Sequence, residues 1–332
     1  MGSVCEYLKE HNGGDNRVPA YVYMPCYLGW GQSIHRPGPY AGFLGKRYDP
    51  LFTVCDPYED ILRGKPNYSD AQPLRGVPRI PYSKLSSGMT IDRLDARKSL
   101  VDQLDGERFR FDQSSALASF SKQQQQAWSI LTSSEVRSAF DFDAVDPKLR
   151  DSYGDSLFGT SALAARKLVE AGVQFVNVTW DCYWERLKFQ LRAWDTHGQN
   201  FTVLRNYNLP YLDAPYAALM QDLEDRGLLD ETLVVTMSDF GRTPKINKNA
   251  GRDHWTYCYS VMFSGAGIKG GTVFGASDER AAYVKEYPVS TGDICATIYR
   301  LLGIDPETQV KDRIGRPIEI AHGGRPINQI LA

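Results

Sequence analysis

Aspartate and histidine residues recur at short spacing in two stretches of the chain and could together bind a metal ion. The stretch "AWDTHGQNF" holds Asp195 and His197, and the stretch "GRDHW" holds His254. A third stretch, "SDFGR", adds Asp239. Mixed carboxylate and imidazole ligands suit Zn²⁺, Mn²⁺ or a similar divalent ion. A metal-dependent site formed by Asp195, His197, Asp239 and His254 is therefore one hypothesis.

Two arginines near these residues add a further chemical possibility. Arg242 and Arg252 carry planar guanidinium groups whose donors match the oxygens of phosphate or sulfate. We interpret both as candidate contacts for an oxyanion. A site that combines a divalent ion with arginines is suited to polarising a phosphate or sulfate ester.

Each stretch also has a purely structural interpretation. Asp195 could cap the helix predicted to begin near Phe201, with His197 as a turn residue. Asp239 could close a turn at the end of a strand, and the Arg-Asp-His sequence could form a surface ion pair. No spacing here is as specific as a His-Glu-x-x-His motif, so the residues alone leave these alternatives open.

The elements that must position these residues follow a repeated pattern of helix, glycine and apolar strand. A helical segment ends at Gly172 before "VQFVNVTW", and another ends at Gly227 before "TLVVTMSD". The segment "YSVMFSG" predicts a further strand, and "DICATIYRLLG" a further helix. This pattern is typical of an α/β fold with a mainly parallel sheet and helices on both faces. Ligands of such sheets lie at the carboxyl ends of the strands, where the candidate residues follow.

The first half of the chain does not follow this pattern of helix, glycine and strand. We interpret the whole chain as one domain. Residues 1–25 contain a predicted helix and the strand "AYVYM", which would form part of the core. Residues 26–150 are first loop-rich and then helical, as in "DRLDARKSLVDQLD", and predict a cap or insertion. Residues 151–332 would form the core that carries the metal-site motifs.

The bulk composition excludes some classes of function. A net charge of −2 over 332 residues disfavours a nucleic-acid or anionic-membrane surface. No apolar run approaches the roughly 18–20 residues that span a bilayer. The six cysteines are scattered without a C-x-x-C pair, so we expect buried free thiols rather than a zinc ribbon.

Several segments together resemble the bacterial domain of unknown function 1501 family, a sulfatase-like branch of the alkaline phosphatase superfamily. They are "YGDSLFGTSALAARKLVEAGVQFVNV", "WDTHGQNF", "RGLLDETLVVTMSDFGRTPKIN", "GRDHW", "GIKGG" and "GIDP". The resemblance implies an alkaline-phosphatase-like fold, an exported protein and hydrolysis of small-molecule or glycan sulfate or phosphate esters. It also implies one metal ion (of the Zn, Mn or Ca class) bound by Asp195, His197 and His254, with Asp239 at a second metal.

The sequence departs from the family pattern at two places. Phe240 stands where phosphatase relatives have the histidine of an Asp-His pair, which predicts a weakened or absent second metal. Residues 1–60 contain no Gly-Gly-Pro-Ser-His-like loop, so the nucleophile is not identified and an N-terminally short chain is expected. The alternative function is a non-catalytic binding protein that retains the fold. A third alternative is a phosphoryl-transferring mutase, which the lack of a clear serine nucleophile disfavours.

Overall fold

The fold combines helices with several small sheets. The structure is a computed structural model that describes residues 1–14, 18–29, 35–55, 75–81, 133–180, 194–312 and 314–332. The α-helices are α1 (Gly2–His11), α2 (Ser134–Ser138), α3 (Pro147–Ser152), α4 (Leu157–Glu170), α5 (Asn200–Val203), α6 (Leu209–Asp225) and α7 (Thr291–Leu301). A π-helical turn, Leu204–Asn208, joins α5 to α6. Short 3₁₀ turns are Gly42–Leu44, Lys46–Tyr48, Leu229–Glu231 and Asn328–Ile330.

The strands form one parallel sheet and several antiparallel pairs. They are β1 (Tyr21–Met24), β2 (Leu51–Phe52), β3 (Val54–Cys55), β4 (Pro78–Arg79), β5 (Phe175–Val178), β6 (Leu233–Thr236), β7 (Gly241–Arg242), β8 (His254–Trp255), β9 (Met262–Gly265), β10 (Ala276–Ser277), β11 (Val284–Glu286), β12 (Gln309–Lys311) and β13 (Pro317–Glu319). The parallel sheet has the order β2-β1-β5, with Tyr21 opposite Phe175. The pairs β3-β4, β6-β9, β7-β8, β10-β11 and β12-β13 are antiparallel.

Helix α4 illustrates how the sequence specifies its own elements. Ser156 caps its first turn by accepting a hydrogen bond from the Gly159 backbone N–H, 3.0 Å away. Gly172 follows the helix with a φ of 90°, a left-handed conformation that glycine adopts without strain. Leu163 and Leu168 are fully buried and belong to the same apolar cluster as Val22 and Met24 of β1. Helix α4 therefore covers one face of the parallel sheet.

A network of charged residues joins α4 to α6. The carboxylate of Asp222 accepts hydrogen bonds from the Arg166 Nε at 2.7 Å, the Arg226 Nε at 2.6 Å and the Tyr153 hydroxyl at 3.0 Å. The side chains of Arg166 and Asp222 are only 3% and 5% exposed. Burying charges is costly unless they are paired and hydrogen-bonded, as they are here.

The predicted elements agree with the structure in kind, with one correction to their arrangement. The helices before Gly172, Gly227 and Gly303 and the strands that follow the first two are confirmed. The prediction of a mainly parallel sheet is wrong for β6, which pairs antiparallel with β9. Helical periodicity and apolar content do not encode strand direction, because a strand buried on both faces reads alike in either orientation.

The remaining predictions concern the cysteines, one further helix, membrane-spanning segments and the division of the domain. Cys5, Cys26 and Cys55 are buried free thiols, whereas Cys258 and Cys295 are partly exposed and Cys182 lies outside the described residues. The predicted helix at 92–105 also lies outside them. Across the ranges that the structure describes, every helix is too short or too polar to cross a bilayer. The division of the domain into 1–25, 26–150 and 151–332 stays a prediction.

Candidate metal centre

The loop that carries Asp195 and His197 is anchored near the carboxyl end of β5. The ring of Trp180, two residues beyond β5, packs edge-on against that of Trp194, with ring centroids 5.5 Å apart. Trp180 also contacts Phe158 and Tyr207, at centroid distances of 4.9 and 6.2 Å. Aromatic contacts of this kind fix the start of the loop on the α4 side of the sheet.

The strand pair β7-β8 supplies the other half of the site. Arg242 on β7 lies directly opposite His254 on β8 in the antiparallel register. Facing residues of such a pair project to the same side of the ribbon. Both side chains therefore reach the same carboxylate oxygen, Asp195 Oδ1, at 2.7 Å from Arg242 Nη2 and 2.9 Å from His254 Nε2.

Three potential ligand atoms converge at this point, and we call Asp195, His197 and His254 the three-residue cluster. Their ligand atoms all lie within 4.8 Å of one another. His197 Nε2 lies 3.0 Å from Asp195 Oδ1 and 3.1 Å from His254 Nε2. The atoms thus form a nearly equilateral triangle. Ligands at 2.0–2.1 Å from a tetrahedral Zn²⁺ would lie about 3.3 Å apart, so small shifts would accommodate an ion.

The loop between β7 and β8, residues 243–253, folds onto the loop 194–200. Backbone hydrogen bonds join Gln199 N to Asn249 O at 3.0 Å, Asn200 N to Ala250 O at 3.0 Å and Arg252 N to Thr196 O at 3.1 Å. At the centre of this contact Gly251 is buried, and a Cβ added there would lie 1.9 Å from the His197 carbonyl oxygen. Glycine at 251 is therefore required for the two loops to approach this closely.

Asp253 and Asn247 complete the surroundings of His197. Asp253 Oδ1 lies 2.8 Å from His197 Nδ1 and accepts a hydrogen bond from Asn247 Nδ2 at 3.1 Å. Asn247 Nδ2 also donates to the backbone oxygen of His197 at 3.0 Å. The hydrogen bonds from His197 and Asn247 hold the pKa of Asp253 below its usual value. Asp253 therefore stays ionised at neutral pH.

Asp195 is also an ionised carboxylate at neutral pH. Burial raises the pKa of the Asp195 carboxyl, but hydrogen bonds from His254 and Arg242 and the charge of Arg242 outweigh it and lower the pKa overall. The Asp195 side chain is 25% exposed, whereas those of His197 and His254 are 46% and 48% exposed. The cluster consequently presents a negative oxygen and two imidazole nitrogens to solvent.

The structure shows the partners of Asp195 and Asp253, for which the sequence leaves alternatives open. Asp195 does not cap the following helix: Gln199 is the N-cap residue of α5, without a capping side-chain bond. Asp253 pairs with His197 through space, a partner 56 residues away that spacing could not reveal.

Asp239 and the two arginines are placed as follows. The described group of mutually close ligand atoms does not include Asp239, whose Oδ1 accepts from its neighbours Phe240 N and Ser238 Oγ at 3.0 and 3.1 Å. Arg252 Nη1 donates to the backbone oxygens of Thr243 and Pro244, each at 2.6 Å, and so braces the 243–253 loop. A second metal at Asp239 and oxyanion contacts for Arg242 and Arg252 stay predictions.

Comparison with known proteins gives one match. A family model described as "Protein of unknown function (DUF1501)" matches residues 1–331. No curated protein and no solved structure matches the chain.

Proposed function

The chain belongs to the DUF1501 family, and from this premise and the geometry of the three-residue cluster we propose that it is a metal-dependent hydrolase of sulfate or phosphate esters. The single observation that carries the proposal is the convergence of Asp195 Oδ1, His197 Nε2 and His254 Nε2 within 3.1 Å of one another. Resemblance to the sulfatase-like branch of the alkaline phosphatase superfamily supports the reaction class. It also supports an alkaline-phosphatase-like fold.

The chemistry of the donor set fits a divalent transition metal. Two imidazole nitrogens and one carboxylate oxygen favour Zn²⁺ or Mn²⁺, whereas Ca²⁺ takes six to eight oxygen ligands. Without a cation or a shared proton, three acceptor lone pairs this close would repel one another. Three protein ligands that leave an open, solvent-facing position are typical of catalytic rather than structural metal sites.

The residues of the site would have two roles, metal binding and orientation of a metal ligand. Asp195, His197 and His254 would hold the ion, which would supply Lewis-acid polarisation of an ester oxygen. Arg242 donates to Asp195 Oδ1 and to the Trp194 carbonyl, and so holds the carboxylate in its ligand orientation. The half-exposed imidazoles leave the site accessible to a small-molecule or glycan ester.

Elemental analysis tests the metal assignment. Purified wild-type protein should carry one equivalent of Zn²⁺ or Mn²⁺, and His254→Ala should carry almost none, because two remaining ligands bind weakly. His11→Ala removes an exposed imidazole from α1 and should leave the metal content unchanged. Equal metal in wild type and His254→Ala would reject the site.

A non-catalytic binding protein is the second candidate, and the position of Phe240 favours it. The Phe240 ring packs on the His254 imidazole at a centroid distance of 4.3 Å. The resemblance to the alkaline phosphatase superfamily implies a metal-binding histidine at position 240, which this chain lacks. A screen with 4-nitrophenyl phosphate and 4-nitrophenyl sulfate separates the two functions. Turnover that EDTA abolishes and that Asp195→Asn lacks would support the hydrolase; metal binding without turnover would support the binding protein.

A further inference from the structure

We propose that Asp253, held by Asn247, is a positioning residue that sets the tautomer of His197 and so aims its Nε2 lone pair at the metal. This inference rests on the proposed metal-dependent function. It assigns to Asp253 a role separate from that of its neighbour His254, which binds the ion directly. The Asp-His dipeptide at 253–254 thus supplies one ligand and the support of another.

The two ring nitrogens of His197 have different partners. Nδ1 lies 2.8 Å from Asp253 Oδ1, while Nε2 lies 3.0 Å from Asp195 Oδ1 and 3.1 Å from His254 Nε2. The hydrogen-bond partner of Nδ1 is an ionised carboxylate, which can only accept, so Nδ1 carries the proton. The hydrogen-bond partner of Nε2 is His254 Nε2, toward which Nε2 can act as the acceptor. In the neutral imidazole Nε2 is then the unprotonated nitrogen, which is the form that binds a metal.

Asn247 fixes the carboxylate in turn. Its Nδ2 donates to Asp253 Oδ1 at 3.1 Å and to the His197 backbone oxygen at 3.0 Å. Its Oδ1 accepts from the backbone N–H groups of Asn249 and Gly251, at 2.9 and 3.0 Å. Asn247 therefore ties the carboxylate and the histidine backbone to one loop, which restricts the rotation of the His197 ring.

Removal of the Asp253 carboxylate should be measurable as a decrease in metal affinity. Loss of the carboxylate partner of a metal-binding histidine typically weakens metal affinity by about 10–100-fold. Asp253→Ala removes both the charge and the acceptor. Asp253→Asn keeps an oxygen that can accept from His197 Nδ1 and Asn247 Nδ2, so its loss should be smaller than that of Asp253→Ala.

Zn²⁺ titration of the chelator-treated protein tests this order. We expect wild type to bind most tightly, Asp253→Asn less so, and Asp253→Ala about 10–100-fold more weakly than wild type. Asp230→Ala removes another exposed carboxylate, from the turn before β6, and should bind like wild type. Equal Zn²⁺ affinity for wild type and Asp253→Ala overturns the inference.

A second readout needs no bound metal. The chain has five histidines, so ¹⁵N-histidine labelling yields a small spectrum that His197→Ala assigns. In the metal-free wild type we expect the neutral His197 ring to be protonated at Nδ1, and in Asp253→Ala to shift toward Nε2–H. A merely structural role for Asp253 would leave this signature unchanged, and an Nε2–H ring in wild type would overturn the inference. If wild type binds no Zn²⁺ but its Nδ1–H ring shifts toward Nε2–H in Asp253→Ala, the proposed function fails while the control of the His197 tautomer by Asp253 stands.

Discussion

The close approach at Gly251 gives the sharpest test of how the candidate metal centre is assembled. A Cβ on this residue would lie 1.9 Å from the His197 carbonyl oxygen, 2.0 Å from its carbon and 2.5 Å from the Gly198 nitrogen. All three are rigid backbone atoms, so no side chain can rotate away. The loops 194–200 and 243–253 must separate in Gly251→Ala. A separation of about 1 Å is twice the roughly 0.5 Å that a ligand constellation tolerates.

We expect Gly251→Ala to lower Zn²⁺ affinity by about 100-fold, because a 1 Å misplacement of site residues typically has effects of this size. Overpacking should also lower the free energy of unfolding by about 1–3 kcal/mol. Isothermal titration with Zn²⁺ measures the first effect, and urea unfolding of the metal-free protein measures the second.

Gly198→Ala is the matched control for this prediction. It places a Cβ in the same contact, but 3.7 Å from Asn249 O and 3.8 Å from Asn249 Cβ, which are ordinary van der Waals distances. Its Zn²⁺ affinity should stay within a few-fold of wild type. If Gly251→Ala bound Zn²⁺ as tightly as Gly198→Ala, the argument that this contact sets the ligand geometry would be refuted.

Two further predictions concern stability. Asp222→Asn leaves the buried Arg166 with only the half-exposed Glu170 as a charged partner, and should lower the free energy of unfolding by about 3 kcal/mol in urea titrations; the exposed Asp225→Asn should cost much less, and equal costs would contradict the reasoning. Burial raises the pKa of Asp293, but hydrogen bonds from the Arg325 backbone and from the side chain and backbone of Ser290 outweigh it and lower the pKa overall. Because the folded pKa is lower, the stabilisation is present above the unfolded pKa of about 3.9 and is lost as pH falls through the folded pKa. Asp293→Asn should therefore cost about 1 kcal/mol at pH 7, as for the loss of a helix cap, and less at pH 3; a cost that is the same at both pH values would show that the charge is irrelevant.

Local elements were predictable because their signals are local. Helix α4 has a serine cap and a terminal glycine, and α7 has a capping box formed by Ser290 and Asp293. Both signals lie within a few residues of the helix they define. The direction of β6 was not predictable, because its paired residues on β9 lie 26–32 positions away and apolar content is the same for parallel and antiparallel strands.

The residues of the candidate site were likewise predictable only in part. Asp195, His197 and His254 stood out from the sequence because histidines are few and each follows a predicted strand. Asp253 and Asn247 carried no comparable signal, since an aspartate and an asparagine in a polar loop are common turn residues. Gly251 gave no signal either, because its requirement arises from a contact with His197, 54 positions earlier in the chain.

The amino-acid sequence by itself determined the types of residue available for metal binding and the helices and strands beside them, because capping, periodicity and residue chemistry act over short distances. Only the tertiary structure decided which of these residues meet. Asp195 contacts His254 and Arg242 and does not cap a helix, because the β7-β8 register brings both side chains to one oxygen of its carboxylate. The stretch 194–200 becomes one wall of a candidate metal centre because the loop 243–253 folds onto it, and that contact joins parts of the chain about fifty residues apart.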